Sequence, residues 1–138
     1  MLKSNLIHPQ ILASLGKSGH GTEILIADGN FPFNTGANPQ ADRVYLNLAP
    51  GLLTVTQVLE VLVNAIPVEA AHVMVPPDGT EPSIFSEFRA LLPNVELQKL
   101  GRFEFYDHVR LPNVALVIAT GEQRVYANIV LTIGVVTP

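Results

Sequence analysis

Val114-Ala115-Leu116-Val117-Ile118-Ala119 reads as a strand covered on both faces. Six consecutive apolar residues leave no side for water, and the β-branched Val114, Val117 and Ile118 suit a pleated, packed surface. Such a strand belongs in the middle of a sheet with other layers above and below it. A second apolar run, Glu23–Ala27, closes on Asp28-Gly29, a turn dipeptide. Residues 43–48 set Val44, Leu46 and Leu48 against Arg43, Tyr45 and Asn47, the period of a half-buried strand. Residues 71–75, 95–100 and 129–136 supply further strands. Residues 30–42 hold two Pro, one Gly and three Asn, so that stretch is a loop.

Helices fill the remaining intervals. Pro9 suits a first helical turn, with Ile11, Leu12 and Leu15 on one face and Gly16 or Gly19 at the end. Thr54-x-x-Gln57 fits a capping box, and Val58, Leu59, Leu62 and Ile66 continue an amphipathic helix towards Pro67. Pro82 opens another helix, with Ile84, Phe85, Phe88 and Leu92 facing inward and Pro93 ending it. Residues 103–109 fit one or two further helical turns. Helices and strands in alternation indicate an α/β layered domain. At 138 residues the chain is expected to form one domain, residues 1–138.

Only 14% of the residues are charged, against roughly 25% in average soluble domains. A small domain so poor in charge is expected to bury part of its surface between subunits, as a homo-oligomer. A membrane span does not fit, because no apolar run approaches the roughly 18 residues that one needs. The net charge of −4 and the lack of any Lys/Arg cluster argue against nucleic acid. With no cysteine there is neither a disulfide scaffold nor a thiolate metal site. The first residues lack the apolar core of a signal peptide, so a cytoplasmic location is expected.

Several short stretches can carry chemistry. In Gly19-His20-Gly21 two glycines leave the imidazole uncrowded, and histidine is the side chain whose ordinary pKa lets it give and take a proton near neutrality. A helix C-cap with a solvent-facing imidazole fits the same residues. Gly16-Lys17-Ser18 is not a phosphate loop, because the first glycine of that motif would fall on Ile11. Gly16-x-x-Gly19-x-Gly21 follows a helix and precedes a strand, the reverse of a dinucleotide fingerprint. Asp28 stands at the carboxyl end of a strand, where open α/β sheets bind ligands, though it also suits the first position of a turn. Arg102 and Tyr106, four apart, share a helical face, with Phe103 and Phe105 read as core. In Tyr126-Ala127-Asn128 the amide can donate and accept at once beside the last strand. His8, His20, His72 and His108 show no metal-ligand spacing.

Taken in order, Gly19-His20, Asp28, Phe31-Pro32, Arg102-Phe103-Glu104-Phe105-Tyr106, Thr120-Gly121-Glu122, Tyr126-Ala127-Asn128 and Gly134-Val135 resemble the D-ribose pyranase / L-fucose mutarotase family over nearly the whole chain. The resemblance implies a three-layer α/β/α domain with a mixed central sheet. It also implies ring-shaped homo-oligomers, often decamers, in which neighbouring subunits contribute to one pocket. His20 would be the acid–base residue. Asp28, Arg102, Tyr106, Tyr126, Ala127 and Asn128 would bind a monosaccharide, and no cofactor or metal is implied. Arg102-Phe103-x-Phe105-Tyr106 is similar to fucose mutarotases, which favours mutarotation of a fucose-like sugar. Gln57-Val58-Leu59, Val68-Glu69-Ala70-Ala71 and Ala127 look more like ribose pyranases, and Asn30 stands where fucose mutarotases tend to carry His. Ring-form interconversion of D-ribose is therefore the alternative activity. A non-catalytic sugar-binding or transport-accessory protein would use the same pocket.

Overall fold

A computed structural model describes residues 1–138. The elements run α1 (Pro9–Gly16), β1 (Glu23–Ala27), β2 (Asp42–Tyr45), α2 (Val55–Leu62), β3 (Val68–Val75), α3 (Phe85–Leu91), β4 (Leu97–Gly101), α4 (Arg102–Val109), β5 (Val114–Ala119) and β6 (Ile129–Ile133). The six strands form one mixed sheet in the order β2-β5-β1-β6-β3-β4. β6 lies antiparallel to both β1 and β3, while β2, β5 and β1, and likewise β3 and β4, pair in parallel. β6 therefore runs against the other five, and its start lies at their carboxyl edge.

The period of two along each strand builds two cores. Ile24, Ile26, Leu116, Ile118, Ile129 and Leu131 face Ile11 of α1, Val58 and Leu59 of α2, and Phe85 and Phe88 of α3. Leu25, Ala27, Val117 and Val130 face Phe105 and Val109 of α4 together with Phe31, Ala37 and Ala41 of the loop after β1. The result is a three-layer α/β/α arrangement in which one outer layer is a single helix and a loop. Every residue of β1 is buried, and β5 is buried except at Ala115, which is half-buried. That is the burial the uninterrupted apolar runs called for.

Local chemistry sets the helix starts. Pro9 opens α1, and His8 Nδ1 accepts from Ile11 N–H at 3.4 Å. In α2 the capping box is complete: Thr54 Oγ1 accepts from Gln57 N–H at 3.2 Å and Gln57 Oε1 from Thr54 N–H at 2.9 Å. The loop between β1 and β2 is ordered by Arg43, which donates to the carbonyls of Phe33, Asn38 and Ala41 at 2.8–3.1 Å.

Four expectations shift. β2 stops at Tyr45, and Leu48 is 84% exposed, because the chain there turns back on itself, with Leu48 N–H donating to the Leu52 carbonyl. β6 ends at Ile133, where Gly134 N–H leaves the sheet for the Pro67 carbonyl. α2 ends at Leu62, well short of Pro67. Phe103 is 77% exposed rather than core: α4 is helical, so Phe105 and Val109, four apart, take the buried face and Phe103 points away. No helix is long and apolar enough to cross a membrane.

Candidate functional site

The carboxyl edge of the parallel strands gathers most of the side chains singled out in the sequence. Asp28 follows β1, Arg102 opens α4 directly after β4, and Asn128 immediately precedes the opposed strand β6. Because β6 runs backwards, a residue before its start meets residues after the ends of its neighbours. A cavity of about 190 Å³ lies here, lined by Asp28, Asn30, Phe31, Met74, Arg102, Tyr106, Val125, Tyr126 and Asn128.

Asp28 is the buried centre of this cavity, 3% exposed. Its N–H donates to Asn128 Oδ1 at 2.8 Å, and Asn128 Nδ2 returns a bond to Asp28 Oδ2 at 3.0 Å. Asp28 Oδ2 also accepts from Ala127 N–H at 3.2 Å, and Oδ1 from Asn30 N–H at 3.0 Å. Burial pushes the carboxyl above its usual 3.8, and the bonds from Asn30, Ala127 and Asn128 only partly offset it. The Asp–Asn reciprocal pair fixes both side chains in one geometry. Oδ1, with one neighbour donor to the two on Oδ2, is the oxygen better placed to accept from a ligand hydroxyl.

Phe31, Met74, Tyr106, Val125 and Tyr126 make most of the remaining wall apolar and aromatic, with Asn30 and Arg102 as its polar groups. Tyr106 packs on Phe31 with ring centroids 5.8 Å apart. The Arg102 guanidinium lies over the Phe103 ring, 5.9 Å from its centroid, and joins no salt bridge, so its fork of donors is free. Tyr126 holds a left-handed backbone, φ 56°, the only non-glycine residue to do so. This turn brings the Ala127 N–H and the Asn128 amide round to Asp28.

His20 is not part of this cavity. It precedes β1, whereas Asp28 follows it, and a five-residue strand spans roughly 16 Å. Its exposed ring sits at the amino edge, where Nε2 is 3.1 Å from both carboxylate oxygens of Glu69 at the start of β3. One chain thus brings together Asp28, Arg102, Tyr106, Tyr126, Ala127 and Asn128 and holds His20 apart. Sequence reasoning noted Asn30 and Phe31 without placing them in the site, and missed Met74 and Val125 as lining residues and Glu69 as the partner of His20. Met74 was within reach, because it is the last inward position of β3 on the face that α4 covers.

The sequence profile of the RbsD / FucU transport protein family matches residues 1–136. The chain belongs to that family. Among curated proteins it is 35% identical to the fucose mutarotase of Mus musculus, covering 94% of this chain and 90% of that protein. It is 33% identical to the fucose mutarotase of Homo sapiens with the same coverage. Among solved structures, the fucose mutarotase of Streptococcus pneumoniae in complex with L-fucose superposes with a TM-score of 0.85 at 26% identity, covering 99% of this chain and all of that one. RbsD of Bacillus subtilis complexed with D-ribose gives 0.84 at 26% identity and the same coverage. The mixed six-stranded sheet with four helices described above is thus the fold shared with these two structures.

Proposed function

We propose that the protein is a mutarotase that interconverts the anomers of a fucose-like monosaccharide. The observation that carries this reading is the cavity at Asp28, where a buried carboxylate, an amide and a free guanidinium face aromatic and apolar groups in a space the size of one sugar ring. Hydroxyls would donate to Asp28 Oδ1 and accept from Arg102, while Tyr106 or Tyr126 packs on the apolar face of the ring. The likeness to fucose mutarotases supports the activity.

Mutarotation opens a hemiacetal and closes it on the other face. The bond between the anomeric carbon and the ring oxygen breaks as the ring oxygen gains a proton and the anomeric hydroxyl loses one. After rotation about the adjacent carbon–carbon bond, the same transfers run in reverse. Histidine suits both directions, and His20 is assigned this role. Since His20 stands at the amino edge of its own sheet, the acid–base group over each cavity comes from a neighbouring copy. That requirement, together with the low charge content, supports a homo-oligomer, and the family resemblance supports a decameric ring. Residues 1–138 work as one domain.

Phe31, Met74 and Val125 favour a 6-deoxy sugar, whose methyl group loses nothing in an apolar niche. Ring-form interconversion of D-ribose is the second reading, favoured by the equally good superposition on a ribose-bound structure. Of the pyranase-like segments, Gln57 completes a helix cap and does not reach the cavity. Exchange NMR with L-fucose, L-galactose and D-ribose tests the choice. L-Fucose is expected to exchange at least about tenfold faster than L-galactose, which differs only by a hydroxyl on that methyl carbon. Faster exchange of ribose than of fucose would transfer the assignment to the second reading.

A further inference from the structure

Residues 120–128 join β5 to β6 without regular secondary structure, yet they carry Tyr126, Ala127 and Asn128. Glu122 is the fixed point of this segment. It is 4% exposed, and its Oε2 accepts from the N–H of Val55, the first residue of α2, at 3.3 Å. Arg124 grips the same carboxylate with its fork: Nε to Oε1 and Nη2 to Oε2, both at 3.0 Å, with its backbone N–H to Oε1 at 3.1 Å. The guanidinium also pairs with Glu87 of α3, whose Oε1 accepts from Thr56 Oγ1 at 3.1 Å. Burial pushes the Glu122 carboxyl up, but the bonds and charge of Arg124 outweigh it and hold the group below the usual carboxylate range. The Glu122 carbonyl accepts from Gly29 N–H at 2.8 Å, one residue beyond Asp28.

Two helices and the Asp28 turn are therefore tied to one point, and the left-handed Tyr126 follows two residues after Arg124. A non-glycine residue keeps such a conformation only where its surroundings hold it. Neither Glu122 nor Arg124 lines the cavity at Asp28. We infer that Arg124 is a positioning residue of the sugar site: by clamping Glu122 to α2 and α3 it fixes the turn at Tyr126 and aims the Ala127 N–H and the Asn128 amide at Asp28. The inference rests on the proposed sugar site.

Arg124→Ala tests it. The folded variant should show a KM for L-fucose raised about tenfold, the loss of one or two hydrogen bonds' worth of placement. Its kcat should stay within about threefold of wild type, since ground and transition states lose the same contacts and His20 is untouched. Guanidinium chloride, well below denaturing concentration, should bring KM back towards wild type where sodium chloride does not. A merely structural arginine would lower the melting temperature and leave the KM of folded protein alone, with no rescue. Wild-type KM in the folded variant, or a raised KM that guanidinium leaves unchanged, overturns the inference. Should Arg124→Ala not fold, Glu87→Ala removes the tie to α3 and leaves the Arg124–Glu122 bonds in place: a KM raised about two- to threefold supports the clamp, and an unchanged KM overturns it. If wild-type protein exchanges no sugar, the mutarotase reading fails on its own account. The clamp is then judged by hydrogen exchange at the Ala127 amide, where lost protection in the variant supports it and wild-type protection overturns it.

Discussion

Asn128→Ala removes the reciprocal pair with Asp28, and its cost can be worked from the geometry. The Asp28 N–H loses its acceptor at a position 3% exposed, which costs about 1–3 kcal/mol for an unsatisfied buried donor. The carboxylate loses one of its three donors, a charge-assisted bond worth about 1.5–3 kcal/mol. The adjoining cavity of about 190 Å³ lets water replace part of the second loss. The variant should therefore be less stable by about 2–4 kcal/mol, read by urea denaturation at fixed protein concentration. Asp28 should also titrate higher still, because one of the bonds opposing its burial is gone. Carbon-detected NMR of the Asp28 carboxyl reads that shift. A variant within about 0.5 kcal/mol of wild type, with Asp28 titrating unchanged, would refute the claim that this pair organises the site.

Four further outcomes follow from the same geometry. His20→Ala should lose sugar exchange by about 10²- to 10⁴-fold while keeping its fold and assembly, and mixing it with Asp28→Asn chains should restore activity; exchange at the wild-type rate would remove His20 from the mechanism. The burial-raised carboxyl of Asp28 makes sugar affinity fall on acidification before the usual carboxylate range is reached, and the limb should vanish in Asp28→Asn. The stability term has the opposite sign: a folded value above the unfolded 3.8 means stability falls as pH rises through that window, a slope that pH-dependent denaturation of wild type and Asp28→Asn compares. Gly121→Ala should destabilise by several kcal/mol, because its Cβ would drive into the Ala49 and Leu52 carbonyls, and thermal melting checks it.

The layers were legible because burial writes itself into composition. The unbroken run Val114–Ala119 and the short run Glu23–Ala27 mark strands covered on both faces, and Thr54-x-x-Gln57 marks a helix start by local bonds alone. Edges were less legible. The alternation of residues 43–48 outlasts the strand, because the chain turn at Leu48 depends on Leu52. Phe103 and Phe105 look alike in sequence, and only the helical rotation of α4 separates them. The Asp28–Asn128 pair spans 100 positions and was reachable only through the ordered motif set. The distance of His20 from Asp28 was available in principle, since an extended strand lies between them. The Glu122 clamp was not, because its partners at Val55 and Glu87 lie on helices far away in sequence.

The most direct test follows freshly dissolved crystalline α-L-fucose to anomeric equilibrium by one-dimensional NMR, with protein at a small fraction of the sugar concentration. A mutarotase should speed the approach in proportion to protein added and leave the final α:β ratio where the uncatalysed sugar reaches it. A rate equal to that of the protein-free solution, or a final ratio displaced only in proportion to the protein present, would contradict catalysis and leave a sugar-binding protein.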